Sequence, residues 1–316
     1  MQRIRSYSVE ITLMVALLAA LGFFGYLGYG LIEPPPDAVT FSGEEALAHV
    51  ETQMEFGPRI TGTDPHKAMG DWLIRQLSNK GWEVFIQPFE PVPEVQARNI
   101  FAVAGSGPTI LLGAHYDTRM IADADPDPAN RRSPVPGAND GASGVAVLLE
   151  LARSLNVAGM DNTVCLVFFD AEDNGRIPGW DWIMGSRYFV SKLDALPRCG
   201  DPEYVVIVDM IGDADQQIYR EQNSTPALTD AIWAVAAELG YGEWIVNEPR
   251  HRMIDDHTPF LEAGIPAVDM IDFDYPYWHT VEDTADKVSA ESLARVGHTL
   301  EVWLEGGAPV PFPAGE

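Results

Sequence analysis

The chain has 316 residues, 46% of them hydrophobic and 10% aromatic, which is enough for one large core and unlike a disordered acidic segment. Its 47 acidic residues against 20 basic ones leave a net charge of −27, which repels phosphate backbones and argues against nucleic acid as a partner. Two cysteines make no scaffold: Cys165 lies in an apolar run where a small buried hydrophobe would sit, with a disulfide to Cys199 as the alternative.

Residues 1–10 carry Arg3 and Arg5. Residues 11–32, ITLMVALLAALGFFGYLGYGLI, contain no charge. A helix rising ~1.5 Å per residue would carry them about 33 Å, against ~30 Å of bilayer hydrocarbon. Basic residues ahead of the run, and Glu33 with three prolines after it, place the N-terminus in the cytoplasm. The expectation is a single-pass cell-membrane anchor with the rest of the chain extracytoplasmic; a cleaved signal peptide is the alternative. Residues 33–41 then read as a linker and 42–316 as one globular domain.

Ser42 and Glu45 fit a capping box, opening a helix that runs through His49 to about Met54. A turn-rich loop, GPRITGTDPHK, leads to a second helix over about residues 67–80. Three strands follow: WEVFIQPF, ARNIFAVAG and TILLGAHYD. The last is apolar at successive positions, as in a strand buried on both faces. Residues 118–139 form a loop long enough to be functional. Next come a helix over about residues 144–155, strand NTVCLVFFD, helix GSRYFVSKL, strand EYVVIVDMIG, a short strand QQIYRE and helix TDAIWAVAAELG. A short helix near HTPFLEAG, strand PAVDMID, a loop with WHT and a last helix AESLARVGHTLEVWLEG complete the order. Strands alternating with helices predict an α/β domain: a largely parallel mixed central sheet with helices on both faces.

The polar clusters fall at strand ends. His115 and Asp117 follow TILLGA, Glu172 and Asp173 follow VCLVFFDA, Asp209 closes EYVVIV, and His279 comes shortly after AVDMI. Asp140 opens a helix inside PGANDGASG. In open α/β sheets the ligand crevice lies at the carboxyl ends of the strands, so one rim collects them all. Converging carboxylates repel unless a cation sits among them, and two imidazoles with several carboxylates suit zinc. His115, Asp140, Asp173, Asp209 and His279 are therefore a candidate ligand set, with Glu172 beside it as a base. His49, His66, His251 and His298 read as packing or surface residues, and His257 as a neighbour of the site rather than a ligand.

The motifs GAHYDT, PGANDGASGVAVLLELAR, VFFDAED, GSRYF, VDMIG, DDHTPF and YWHTVEDTADKV occur in that order. Together they resemble the zinc-dependent aminopeptidase superfamily, over roughly residues 42 to 306. The tryptophan-bearing stretch NGRIPGWDWIM, with IDDHTPF and YWHT, resembles its glutaminyl-peptide cyclotransferase branch. That resemblance implies one zinc held by Asp140, Asp173 and His279, with an open position for a substrate amide oxygen. It makes Glu172 the proton shuttle, places Asp209 and Asp255 in its hydrogen-bond network, and has Trp278 with Trp180 or Trp182 wall the substrate. The implied reaction converts the N-terminal Gln of peptides or proteins to pyroglutamate with loss of ammonia. The chain departs from the animal pattern at Asp173, where a Glu is usual, and Phe273 and Tyr275 straddle an aromatic position with no match in register. Two other readings stand beside it. A two-zinc aminopeptidase would add His115 and Asp209 as second-metal ligands. A tethered, non-catalytic binding ectodomain would lose ligands that this chain keeps.

Overall fold

A computed structural model of the chain describes residues 40–311 together with Met14, Leu17 and Ala20. The chain divides into two units, Met1–Thr40 and Phe41–Glu316. The expected anchor, residues 11–32, lies outside the described residues except at those three positions. Among the described residues no helix is long and apolar enough to cross a membrane.

The second unit holds eight strands: β1 (Glu83–Phe89), β2 (Ala97–Gly105), β3 (Thr109–His115), β4 (Thr163–Phe169), β5 (Pro202–Asp209), β6 (Ile218–Arg220), β7 (Ile245–Pro249) and β8 (Ala267–Ile271). Its helices are α1 (Gly43–Glu55), α2 (Asp64–Asn79), α3 (Ala142–Ser154), α4 (Met184–Val190), α5 (Pro226–Glu238), α6 (Thr258–Glu262) and α7 (Ala290–Glu305). Six strands form one sheet in the order β1-β2-β4-β3-β5-β8. β4, β3, β5 and β8 run parallel, while β2 and then β1 add antiparallel at one edge. This is the mixed, largely parallel sheet that the strand–helix alternation predicts.

β3 and β4 are buried at every position, which is why both read as unbroken apolar runs. Alternate residues serve two cores. Ile110, Leu112 and Ala114 of β3 join a cluster with Val50, Leu73, Leu148, Ile232 and Leu300 from helices on one face. Leu111, Cys165, Val167 and Val205 pack on the other face against Phe189 of α4 and Phe260 of α6. The capping box at α1 is half made. Ser42 Oγ accepts the Glu45 amide at 3.3 Å, but the Ser42 amide donates to Glu150 Oε1 at 2.7 Å instead of turning back to Glu45. That exchange fastens α1 to α3 rather than only closing its own first turn.

Two features differ from the sequence expectation. Cys165 is not a free buried thiol: it forms a disulfide with Cys199, with their Cα atoms 6.0 Å apart. β6 pairs with β7, a segment read from sequence as loop, in a separate two-stranded sheet. β7 is exposed over Asn247, Glu248 and Pro249, so it carries no apolar alternation to reveal it.

Candidate active site

The parallel strands end on one rim, and the chain bends sharply as it leaves them. Eight non-glycine residues have positive φ among the described residues, and five of them border this rim: Ala171, Arg176, Ile183, Met210 and His279. Left-handed backbone at a β-branched residue such as Ile183 is costly and persists only where surrounding contacts enforce it. Ala171, just before Glu172, and Met210, just after Asp209, are two of these positions.

His115, the last residue of β3, has Nε2 3.1 Å from Asp140 Oδ1 and 3.2 Å from Asp209 Oδ1. His279 Nε2 lies 2.8 Å from Asp173 Oδ1 and 3.7 Å from Asp140 Oδ2. Asp140 therefore turns one oxygen to each imidazole. Its place is fixed from behind by Asp283, which accepts the Asn139 and Asp140 amides at 2.8 and 3.1 Å and the Tyr275 hydroxyl at 2.7 Å. Gly141 has φ +80°, and a Cβ there would come within 2.9 Å of His115, so this turn admits only glycine. Asp117 lies 3.7 Å from His115 Nδ1 and accepts the Glu172 amide at 3.0 Å, which sets the acidic pair against β3.

A cavity of about 330 Å³ opens over these groups, lined by Asp140, Glu172, Asp173, Asp209, Asp255, Arg176, Trp182, Phe273 and Trp278 among others. The structure separates the two candidate tryptophans. Trp182 faces the cavity, its ring stacked toward His279 with centroids 5.9 Å apart. Gly175 lies against that ring, where a Cβ would meet it at 2.0 Å, and the Arg119 guanidinium sits 5.0 Å from it. Trp180 packs instead with Phe89, Ala97 and Ala171. Trp278 lies against His279 and Phe273, with centroids 3.8 and 5.2 Å away. Asp209 and Asp255 share the cavity with Glu172, but their hydrogen bonds run elsewhere: Asp209 to His115, and Asp255 to the Asp256 amide.

Two further groups, without a motif to mark them in the sequence, lie beneath His279. Asp123 Oδ1 lies 3.6 Å from His279 Nδ1. Arg119 holds Asp123 by two bonds of 2.8 and 2.7 Å and also donates to the Asp173 carbonyl at 2.6 Å. Both come from the long loop after β3, whose length was the one signal of their use. A carboxylate behind a ligating imidazole is the usual support of a metal-binding histidine. Of the histidines set aside, His66 is buried at 2.9 Å from Asp170 and stacked on Tyr116, a packing role at the end of β4. His257 is buried between Glu221 and Asp269, 3.4 and 3.6 Å away.

Burial dominates the electrostatics. It pushes Glu172 well above the ordinary carboxylate range; His115 pulls the other way, while Asp173, Asp255 and Asp256 add to the rise. Burial, with Asp140 adjacent, pushes Asp173 up to about 6. Burial and then Asp209 push Asp255 up to about 7. For His279, burial disfavours the imidazolium, but Asp173, Asp123 and Asp140 outweigh it and raise it to about 9. Carboxylates crowded this way invite a cation, which would take over the role of the protons. Three donor trios occur among the described residues, each with its ligand atoms within 4.8 Å of one another: His115–Asp140–Asp209 and Asp140–Asp173–His279, which share Asp140, and a separate Asp255–His257–Asp269. Asp140 Oδ2 and Asp173 Oδ2 are buried without a hydrogen-bond partner, as oxygens reserved for a metal would be.

A pH effect follows for metal-free protein. Asp173 and Asp255 have folded-state values of about 6 and about 7, above an unfolded value of 3.8. The folded state then binds the extra protons, so the stability they contribute is complete below about pH 4 and is lost as pH rises through 6 to 7. Chelated protein should melt at least about 2–4 °C lower at pH 8 than at pH 5.5, the equivalent of ~1 kcal/mol for a domain of this size. Added divalent cation should restore more at pH 8 than at pH 5.5. A melting point that climbs with pH in the chelated protein would contradict this picture of the cluster.

Residues 99–304 match the family model described as peptidase family M28. The chain is similar to the glutaminyl-peptide cyclotransferase-like protein of Mus musculus, 24% identical over an alignment of 262 residues that covers 72% of this chain and 66% of that protein. It thus spans about 66% of that relative's length. Among solved structures, Porphyromonas gingivalis glutaminyl cyclase is 34% identical with a TM-score of 0.79, covering 85% of this chain and 99% of that one. A leucine aminopeptidase precursor from Bacteroides thetaiotaomicron is 30% identical with a TM-score of 0.78, covering 85% of this chain and 98% of that one.

Proposed function

The chain belongs to peptidase family M28, and from that footing we propose that it is a zinc-dependent glutaminyl-peptide cyclotransferase. The observation that carries the reading is the pairing of a buried Asp140–Asp173–His279 donor trio with a cavity of about 330 Å³ walled by Trp182, Phe273 and Trp278. Two oxygens and one imidazole nitrogen suit zinc, and three protein ligands leave a position for substrate. When bound, zinc supplies Lewis-acid polarisation of the substrate's side-chain carbonyl.

The protein's own groups do the rest. The aromatic walls fit a single side chain and exclude the water that would otherwise compete with the internal amine. Glu172 stands over the cavity and takes a proton from the substrate α-amine as that nitrogen bonds to the side-chain amide carbon. The carbon–nitrogen bond to the former amide breaks, and Glu172 returns the proton so that ammonia departs. A base held well above the usual carboxylate range suits this shuttle near neutral pH. Asp209 and Asp255 face the same space, and Asp173, Asp255 and Asp256 discourage Glu172 from carrying a lasting charge. Asp123 and Arg119 hold the His279 ring and the Asp173 backbone in register.

One observation favours a second reading. Asp140 presents its two oxygens to two imidazoles, and the trios it joins are both complete. That is the arrangement a two-zinc aminopeptidase would use, with Glu172 activating a water for attack on a peptide carbonyl. Zinc per chain, and turnover of a Gln-initiated against a Leu-initiated peptide, separate the two. The cyclotransferase should hold about one zinc, cyclise the Gln-peptide and leave the Leu-peptide intact. Its His115→Ala variant should keep that zinc and measurable cyclisation. Two zincs with leucine release, both collapsing in His115→Ala, would replace the first reading with the second.

A further inference from the structure

Beside the active-site cavity lies a second one of about 530 Å³, walled mainly by Phe89, Pro91, Trp182, Met184, Tyr188 and Ile254, with the charged Glu90, Asp181 and Arg187 also in its lining. No step described so far uses it. Its walls are mostly apolar, and it shares Trp182 and Ile254 with the active-site cavity. Trp182 is thus a partition that stacks toward His279 and also lines the neighbouring space. The partition is fixed by the bare Gly175 and the Arg119 cation rather than free to swing. Ile254 stands 65% exposed at the junction, one of the few large apolar side chains left in water among the described residues. An apolar cavity that continues from a substrate site across an exposed isoleucine is built to be covered when the substrate arrives.

We propose that this cavity is an apolar subsite for a side chain downstream of the substrate's N-terminal residue, so that the chain prefers peptides with an aromatic or long aliphatic residue at the second or third position. The proposal rests on the cyclotransferase reading and names the substrates that reading would favour. The occupant is the peptide itself, because the cavity adjoins the place where its first residue must sit and shares two of its walls. Phe89 and Tyr188, stacked with centroids 5.0 Å apart, form a flat aromatic wall suited to another ring or to a leucine-sized group. Filling it removes apolar surface from water in ground state and transition state alike, so the gain falls on KM rather than kcat.

The test is a peptide series, Gln-X-Ala and Gln-Ala-X with X as Gly, Leu or Phe, assayed for cyclisation by the full-length protein. At one of the two positions Leu and Phe should raise kcat/KM about ten- to a hundredfold over Gly, mostly through KM. Met184→Glu, which alters this cavity and not the catalytic one, should abolish the preference and leave Gln-Gly-Ala turnover within about twofold of wild type. Equal kcat/KM across the series at both positions would overturn the subsite while leaving the cyclotransferase reading intact. A preference that survives Met184→Glu, or a loss on all peptides alike, would overturn it as well. No cyclisation of any member would sink the cyclotransferase reading, and the subsite with it.

Discussion

His279→Ala should lose zinc and activity together. His279 is one of three protein donors, and the other two, Asp140 and Asp173, each hold a buried oxygen with no partner. Without the imidazole these carboxylates face each other in a site that already drives Asp173 up to about 6. They would sooner bind a proton than a metal at two oxygens. Lewis-acid polarisation is worth several kcal/mol of barrier, so kcat/KM should fall at least about a thousandfold. Metal analysis of the purified variant, with circular dichroism to confirm folding, decides it. One zinc per chain with activity within tenfold of wild type would remove His279 from the ligand set.

Glu172→Gln separates chemistry from metal binding. Glu172 belongs to none of the donor trios, so the variant should keep its zinc. Its backbone is pinned by the Asp117 carboxylate on the Glu172 amide and by the Ile183 amide on the Glu172 carbonyl, so the amide should occupy the same place. An amide cannot accept and return the proton, and general acid–base assistance is typically worth ~10²–10⁴-fold. The expected result is full zinc, a melting point near or above wild type, and kcat reduced by that factor. Removing a carboxylate from a crowd of acids should raise stability if it changes it at all. Near-normal turnover would end the assignment of Glu172.

The sequence made much of this site legible because the fold concentrates its signals. β3 and β4 are buried at every position and β5 over its last five residues, so the polar residues at their ends are conspicuous, and parallel strands must end on one rim. What stayed hidden was contact across the chain. Asp123 sits in the long loop after β3 with no periodicity around it, and only the folded loop carries it to His279. Asp283 lies inside the motif YWHTVEDTADKV but acts on the amides of residues 139 and 140, more than a hundred positions away. Trp180 and Trp182 are two residues apart in an irregular loop, where neither helical nor strand spacing says which one turns inward. Gly175 held that answer, since its missing side chain is the space where Trp182 lies.

The Cys165–Cys199 bond joins residues 34 apart in sequence. Between them lie Glu172, Asp173, Gly175, Trp182 and Met184, so the proposed proton shuttle, one proposed metal ligand and the partition between the two cavities are all carried on a single covalently closed ring. Closing a ring of this size lowers the entropy of the unfolded chain by the equivalent of ~3–4 kcal/mol. One exposed stretch of the ring, at residues 176, 178 and 179, is irregular loop that a protease could reach. A single cut there would open the ring without parting the polypeptide: the piece bearing Asp140, Glu172 and Asp173 and the piece bearing Trp182 and His279 would stay joined by the two sulfurs.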